Sequence, residues 1–311
     1  MGFRMKASPL PIPALFVALL LLALPELRAQ DSPSPTPAPA APAASGTEDH
    51  PVEDALKFAL QVPANPALPT LFLVGDSTMK VGTPGQRGWG EEMAPFFDPQ
   101  KINVVNEAIG GRSSRTFQTE GRWDGVLAMI KTGDYVVIQF GHNDSGAIND
   151  NFRARASIPG VGEETQEIDN ILTHKHEVVH SFGWYMRKYA TDVKARGATP
   201  IIMSLVPRNT WKDGKVVRAS GNALGGWAQQ AAAATGTTFV DHNEIIAEGL
   251  DALGQAQTLP LFADGRLHAS PAGAQFNARM AVSGLKSIQG NPLGPYFSTA
   301  AAPIPAFAPK Q

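Results

Sequence analysis

The chain has 311 residues, 43% hydrophobic and 17% charged, with a formal net charge of −2 and no cysteine. That length supports one large core, and a mildly acidic chain without a Lys/Arg tract gives no electrostatic reason to expect nucleic acid or an anionic membrane surface as partner. The lack of cysteine excludes a disulfide framework and thiolate metal sites, so stability must come from packing.

At the N-terminus, Arg4 and Lys6 precede an apolar run from Ala14 to Leu24, and Leu27-Arg28-Ala29 ends on a small residue. This is the three-part pattern of a secretory signal over residues 1–29, with an apolar stretch shorter than the roughly 20 residues that cross a bilayer. Residues 30–48 are Pro/Ala-rich and almost free of large apolar side chains, as expected of a linker that cannot repay its ordering entropy. A folded domain is expected over 49–290. A second Pro/Ala-rich stretch, 291–311, carries Tyr296, Phe297 and Phe307 as candidates for docking on it. A secreted or periplasmic monomer, free of the membrane once the signal is cleaved, is the expected form.

Short apolar runs at Leu71–Val74, Ile102–Val105, Tyr135–Phe140, Pro200–Val206 and Thr237–Val240 carry few charges, as strands covered on both faces do. Helical spacing fits Trp89–Phe97, Trp123–Lys131, Lys175–Arg196, Asn222–Ala234 and Ala272–Ser287. The alternation predicts an α/β fold, a three-layer α/β/α sandwich around a five-stranded parallel sheet. In such sheets, sites gather at the carboxyl ends of the strands.

Polar clusters stand at those ends. Gly75-Asp76-Ser77 follows the first strand, where a strand-to-helix turn would expose the Ser77 hydroxyl; the competing reading is a simple helix cap. Gly110-Gly111-Arg112-Ser113 follows the second, either a close backbone approach to a ligand oxygen or an ordinary turn. Gly141-His142-Asn143-Asp144 follows the third, with an Asn amide able to donate to a developing oxyanion and a His suited to a supporting role. Late in the chain, Asp264 and His268 stand just before a helix, a base with a carboxylate to fix its tautomer.

In this order, the four clusters resemble the sequence blocks of SGNH (GDSL-type) hydrolases. Gly75–Met79, Asn106–Phe117, Gln139–Asp144 and Val206–Trp211 are similar to the rhamnogalacturonan acetylesterase branch, over roughly residues 68–287. The resemblance implies a flavodoxin-like fold and a secreted serine esterase, without metal or cofactor, that removes O-acetyl groups from plant cell-wall polysaccharide through an acetyl-enzyme. It implies Ser77 as nucleophile, His268 as base and Asp264 as orienter, with Ser77, Gly111 and Asn143 forming the oxyanion hole. The family pattern reads Asp-x-x-His, whereas Asp264 precedes His268 by four residues. Either the turn holds one extra residue or Asp264 is a bystander.

Arg112, His142 and Trp211 are candidate substrate contacts. Arg112 and Arg115 either bind uronate carboxylates or pair with Glu107 and Asp124. Trp211, beside Arg208 and Lys212, either stacks on sugar or packs on the core. His174, His176 and His180 are further candidates for touching substrate. Other functions remain open: a general short-chain esterase or lipase of the same fold, a catalytically dead carbohydrate-binding module, against which the intact Ser77, Gly111, Asn143 and His268 set weighs, and a zinc hydrolase using His176 and His180. The zinc reading rests on His176-Glu177-Val178-Val179-His180, an H-E-x-x-H pattern that on a helix puts both imidazoles on one face. Its metzincin extension fails at the third-ligand position, occupied by Met186.

Overall fold

A computed structural model describes residues 1–2 and 59–309 of the chain. The signal and linker segments expected over 1–48 lie outside the described residues, apart from Met1 and Gly2. Along the chain run β1 (Thr70–Gly75), β2 (Asn103–Asn106), α1 (Thr116–Thr119), α2 (Arg122–Met129), β3 (Tyr135–Gln139), β4 (Thr165–Asp169) and β5 (His176–His180). After these come α3 (Phe182–Ala195), β6 (Thr199–Met203), β7 (Trp211–Lys212), β8 (Lys215–Val216), α4 (Leu224–Ala234) and β9 (Thr238–Val240). The last are α5 (His242–Leu253), α6 (Gln255–Thr258) and α7 (Pro271–Lys286).

Five strands form one sheet in the order β2-β1-β3-β6-β9, and each neighbouring pair is parallel. Successive side chains leave opposite faces. Leu71 and Leu73 join Ile201, Met203, Ile245, Ala278 and Leu285 in one core, under α5 and α7. Phe72 and Val74 join Trp123, Ile138, Phe182, Tyr189 and Ala228 in the other, under α2, α3 and α4. The result is a three-layer α/β/α sandwich of flavodoxin-like strand order. The order reverses between β1 and β3, and the crevice at their carboxyl ends is where such folds place ligands.

Two helical expectations change, and one helix is added. Trp89–Phe97 forms two 3-10 turns, Trp89–Glu92 and Ala94–Phe96, with Pro95 in the second. Lys175–Arg196 is divided: β5 pairs antiparallel with β4 as a hairpin, and α3 begins only at Phe182, capped by the Ser181 hydroxyl. Helix α5, which sequence periodicity had not singled out, begins at Asp241, whose carboxylate accepts the Glu244 N–H. The segment after Asn291 packs on the domain through buried Leu293, Ala301 and Ile304. Phe297 sets its ring 5.0 Å from that of Phe97.

Candidate active site

The β1 strand ends in Gly75, where a Cβ would stand 2.7 Å from the Gln139 carbonyl of β3, so only glycine lets the two strands stay paired there. No helix follows. Instead Asp76 organises a turn: its carbonyl accepts the Met79 N–H at 3.0 Å, and its Oδ1 takes the Thr78 N–H and hydroxyl at 2.9 and 2.7 Å. Asp76, rather than Ser77, does the capping. Ser77 therefore keeps its hydroxyl for another partner.

That partner is His268, whose Nε2 lies 3.0 Å from the Ser77 Oγ. On the far side of the ring, Nδ1 lies 2.7 Å from Asp264 Oδ2. The four-residue spacing is absorbed by a tight turn in which Asp264 Oδ1 accepts the N–H groups of Arg266 and Leu267, both at 2.8 Å, and of His268 at 3.1 Å. Burial alone would raise the Asp264 carboxyl. The three backbone donors and the imidazole outweigh it and hold the group down to about 2. The carboxylate is thus ionised at neutral pH, and a proton on Nδ1 leaves the Nε2 lone pair facing the serine hydroxyl.

Two loops bring N–H donors toward the same serine. Gly111 adopts φ +78°, and a Cβ on Gly110 would meet the Ser77 Cβ at 3.5 Å. Among the described residues, no protein acceptor takes the backbone N–H of Ser77 or of Gly111. Asn143, buried after β3, gives one Nδ2 hydrogen to the Arg112 carbonyl at 2.9 Å, which leaves the second hydrogen of that amide for a ligand. Such an arrangement can do acyl transfer: a hydroxyl with a base at hydrogen-bond range, and donors converging beside it.

Comparisons with known proteins show the family. The profile of the GDSL-like Lipase/Acylhydrolase family matches residues 73–276, the interval that holds every residue just described. The chain belongs to that family. It is 36% identical over 206 residues to the rhamnogalacturonan acetylesterase of Emericella nidulans, a match covering 66% of this chain and 80% of the relative. It is 29% identical over 226 residues to the uncharacterized esterase YxiM of Bacillus subtilis, covering 70% and 52% respectively. The crystal structure of YxiM superposes with a TM-score of 0.57, covering 72% of this chain and 57% of that one. As a GDSL-family member with this likeness, the chain is a carboxylic ester hydrolase.

Within this GDSL hydrolase, several expected contacts lie elsewhere. Arg112 does not turn toward substrate: its side chain is 2% exposed, with Nε on Glu120 at 3.0 Å and Nη1 on the Gly110 carbonyl at 3.0 Å. A trans peptide sets its C=O and N–H in opposite directions. By holding the Gly110 carbonyl back, Arg112 fixes the direction of the Gly111 N–H. Arg115 pairs with Glu177 at 2.6 Å, and Glu107 pairs with Arg122. Trp211 lies in the β7–β8 hairpin, partly buried against the core, its indole N–H on Asn209 at 2.8 Å.

His142 sits beside the site with both ring nitrogens buried and neither completing a hydrogen bond of ordinary geometry. Burial pushes it down to about 4, against the charge of Asp76 and with the help of those of Arg208 and His268. Asp144, behind Asn143, is pushed up to about 6 by burial although Ser114 and Ser157 donate to it. His176 and His180 stand on a strand, where an i,i+4 pair is about 13 Å apart, too far to share one zinc ion. The zinc reading needed a helix. His176 instead meets Asp169 at 3.1 Å, and His180 stacks on Trp184 with ring centroids 3.7 Å apart.

Proposed function

We propose that the chain is a secreted serine esterase that removes O-acetyl groups from pectin- or rhamnogalacturonan-like plant cell-wall polysaccharide. The observation that carries this reading is the relay Ser77–His268–Asp264, at 3.0 and 2.7 Å, at the switch point of the sheet. The likeness to the rhamnogalacturonan acetylesterase of Emericella nidulans supports the choice of acyl group and polymer.

Ser77 Oγ attacks the acetyl carbonyl carbon as His268 Nε2 takes its proton. The new oxyanion sits among the N–H groups of Ser77 and Gly111 and the Asn143 amide. Collapse expels the sugar oxygen, which takes the proton back from His268, and leaves Ser77 acetylated. Water, deprotonated by the same imidazole, then attacks the ester and releases acetate.

Acetate release from acetylated pectin, acetylated xylan and p-nitrophenyl acetate tests the reading. Preference for pectin is expected. Turnover confined to p-nitrophenyl acetate would favour a general short-chain esterase. The charged start and apolar run of residues 1–29 support secretion. N-terminal sequencing of the protein from medium or periplasm should find a mature end near Gln30, and an intact Met1 would overturn that part.

A further inference from the structure

The segment that follows β6 lies between two features of the site. On one side Asn209 staples it to the histidine loop, its N–H donating to the Arg266 carbonyl at 2.8 Å and its Nδ2 to the Gly265 carbonyl at 2.9 Å. On the other it walls a cavity of about 250 Å³ lined in part by Gly141, His142, Leu205, Arg208, Val217 and Leu224. His142 links the two, because it lines the cavity and precedes Asn143 in the chain.

Two cations line this cavity, and they differ. Arg218 is neutralised by Glu244 at 3.1 Å and by Asp251 at 2.7 Å. Arg208 is exposed, and among the described residues no carboxylate or carbonyl takes its guanidinium. Arg112 and Arg115, the other arginines of these loops considered for acidic sugars, are closed off by Glu120 and Glu177. A guanidinium is a planar fork of donors that matches a carboxylate in two parallel hydrogen bonds. Beside it, Leu205, Val217 and Leu224 offer apolar surface suited to the C–H face of a pyranose.

We propose that this cavity is a subsite for an acidic sugar, a hexuronate of the polysaccharide, and that Arg208 receives its carboxylate. The proposal rests on the carbohydrate-deacetylase reading above. Its role is specificity: it holds the polymer so that an acetyl group reaches Ser77.

The test compares kcat/KM for an acetylated uronate oligosaccharide and for the same oligosaccharide with its carboxyl groups reduced to alcohols. Wild type should prefer the acid. Arg208→Ala should lower that preference at least tenfold, chiefly through KM. Arg208→Lys should keep part of it, and Arg208→Glu should invert it. Arg266→Ala, an exposed cation of the adjoining loop outside the cavity lining, should keep it. Equal losses on both substrates in Arg208→Ala, or an equal fall in preference from Arg266→Ala, would overturn the subsite. Absence of acetate release from either oligosaccharide by wild type would overturn the deacetylase reading itself, and the subsite with it.

Discussion

Asp264 grips His268 at both backbone and ring. Its Oδ1 accepts the His268 N–H at 3.1 Å while its Oδ2 takes Nδ1 at 2.7 Å. One side chain thus shapes the turn and sets the tautomer, and two substitutions separate these tasks. Asp264→Asn keeps an oxygen for the N–H groups of Arg266, Leu267 and His268 but presents an amide to Nδ1, which moves the imidazole proton to Nε2. We expect kcat to fall about 10³–10⁴-fold with the melting temperature nearly kept. Asp264→Ala should lose both activity and stability. More than a tenth of wild-type turnover in Asp264→Asn would remove the residue from the relay.

Asn143→Ala should lower kcat about 10²–10³-fold with KM little changed, since an oxyanion donor acts on the transition state. A rise confined to KM would make Asn143 a ground-state contact instead.

Arg112→Lys keeps a cation for Glu120 but lacks the second nitrogen that holds the Gly110 carbonyl. The Gly111 N–H then loses its fixed direction. A fall of about tenfold in kcat at steady KM is expected, and combination with Asn143→Ala should cost less than the product of the single losses, because both act on one oxyanion. Full additivity would show that Arg112 acts on turnover by a route separate from the oxyanion hole.

Acid should unfold the protein early. His142 and His242 are both held neutral by burial, down to about 4 from an ordinary 6.5, with the Asn277 carbonyl opposing the shift at His242. The unfolded chain binds their protons first, so their contribution is complete above pH 6.5 and lost as pH falls toward 4. Each amounts to about 3 kcal/mol at the acid end. Asp144 runs the other way: raised to about 6 from 3.8, it favours the fold at low pH and withdraws about 3 kcal/mol as pH rises through that window. Burial also lowers His180 and raises Glu107, one group on each side, so the two fully buried imidazoles still outweigh Asp144. The urea midpoint should drop between pH 7 and 4.5, and His242→Gln should flatten the slope; an unchanged slope would refute the assignment.

Hydrolysis should persist in EDTA and stop with a serine-directed phosphonate. The strand spacing of His176 and His180 is the reason. Loss of activity in chelator, restored by zinc, would reverse this prediction.

The five sheet strands are legible in sequence because burial on both faces leaves them almost without charge. The four polar clusters are legible because they follow those strands directly. The β4–β5 hairpin was hidden by its continuation: the strand His176–His180 runs into α3 with only Ser181 between them, and the helical pattern reads back across the cap. Helix α5 carried a usable signal in Asp241, followed by Ile245, Ile246 and Leu250 at helical spacing. The orientation of Arg112 had none. Glu120 lies eight residues away across a turn, and no periodicity joins them.

Ser77 and His268 stand 191 residues apart in sequence, and the sheet that unites them is built wholly from parallel, non-local pairings. Each pairing closes a long loop before any contact repays it, a topology associated with slow folding. No chain segment that lacks the last helix and its preceding loop holds both members of the pair. Recovery of esterase activity on refolding therefore reports completion of the whole domain, and it should lag the return of helical circular dichroism, which can form from local segments.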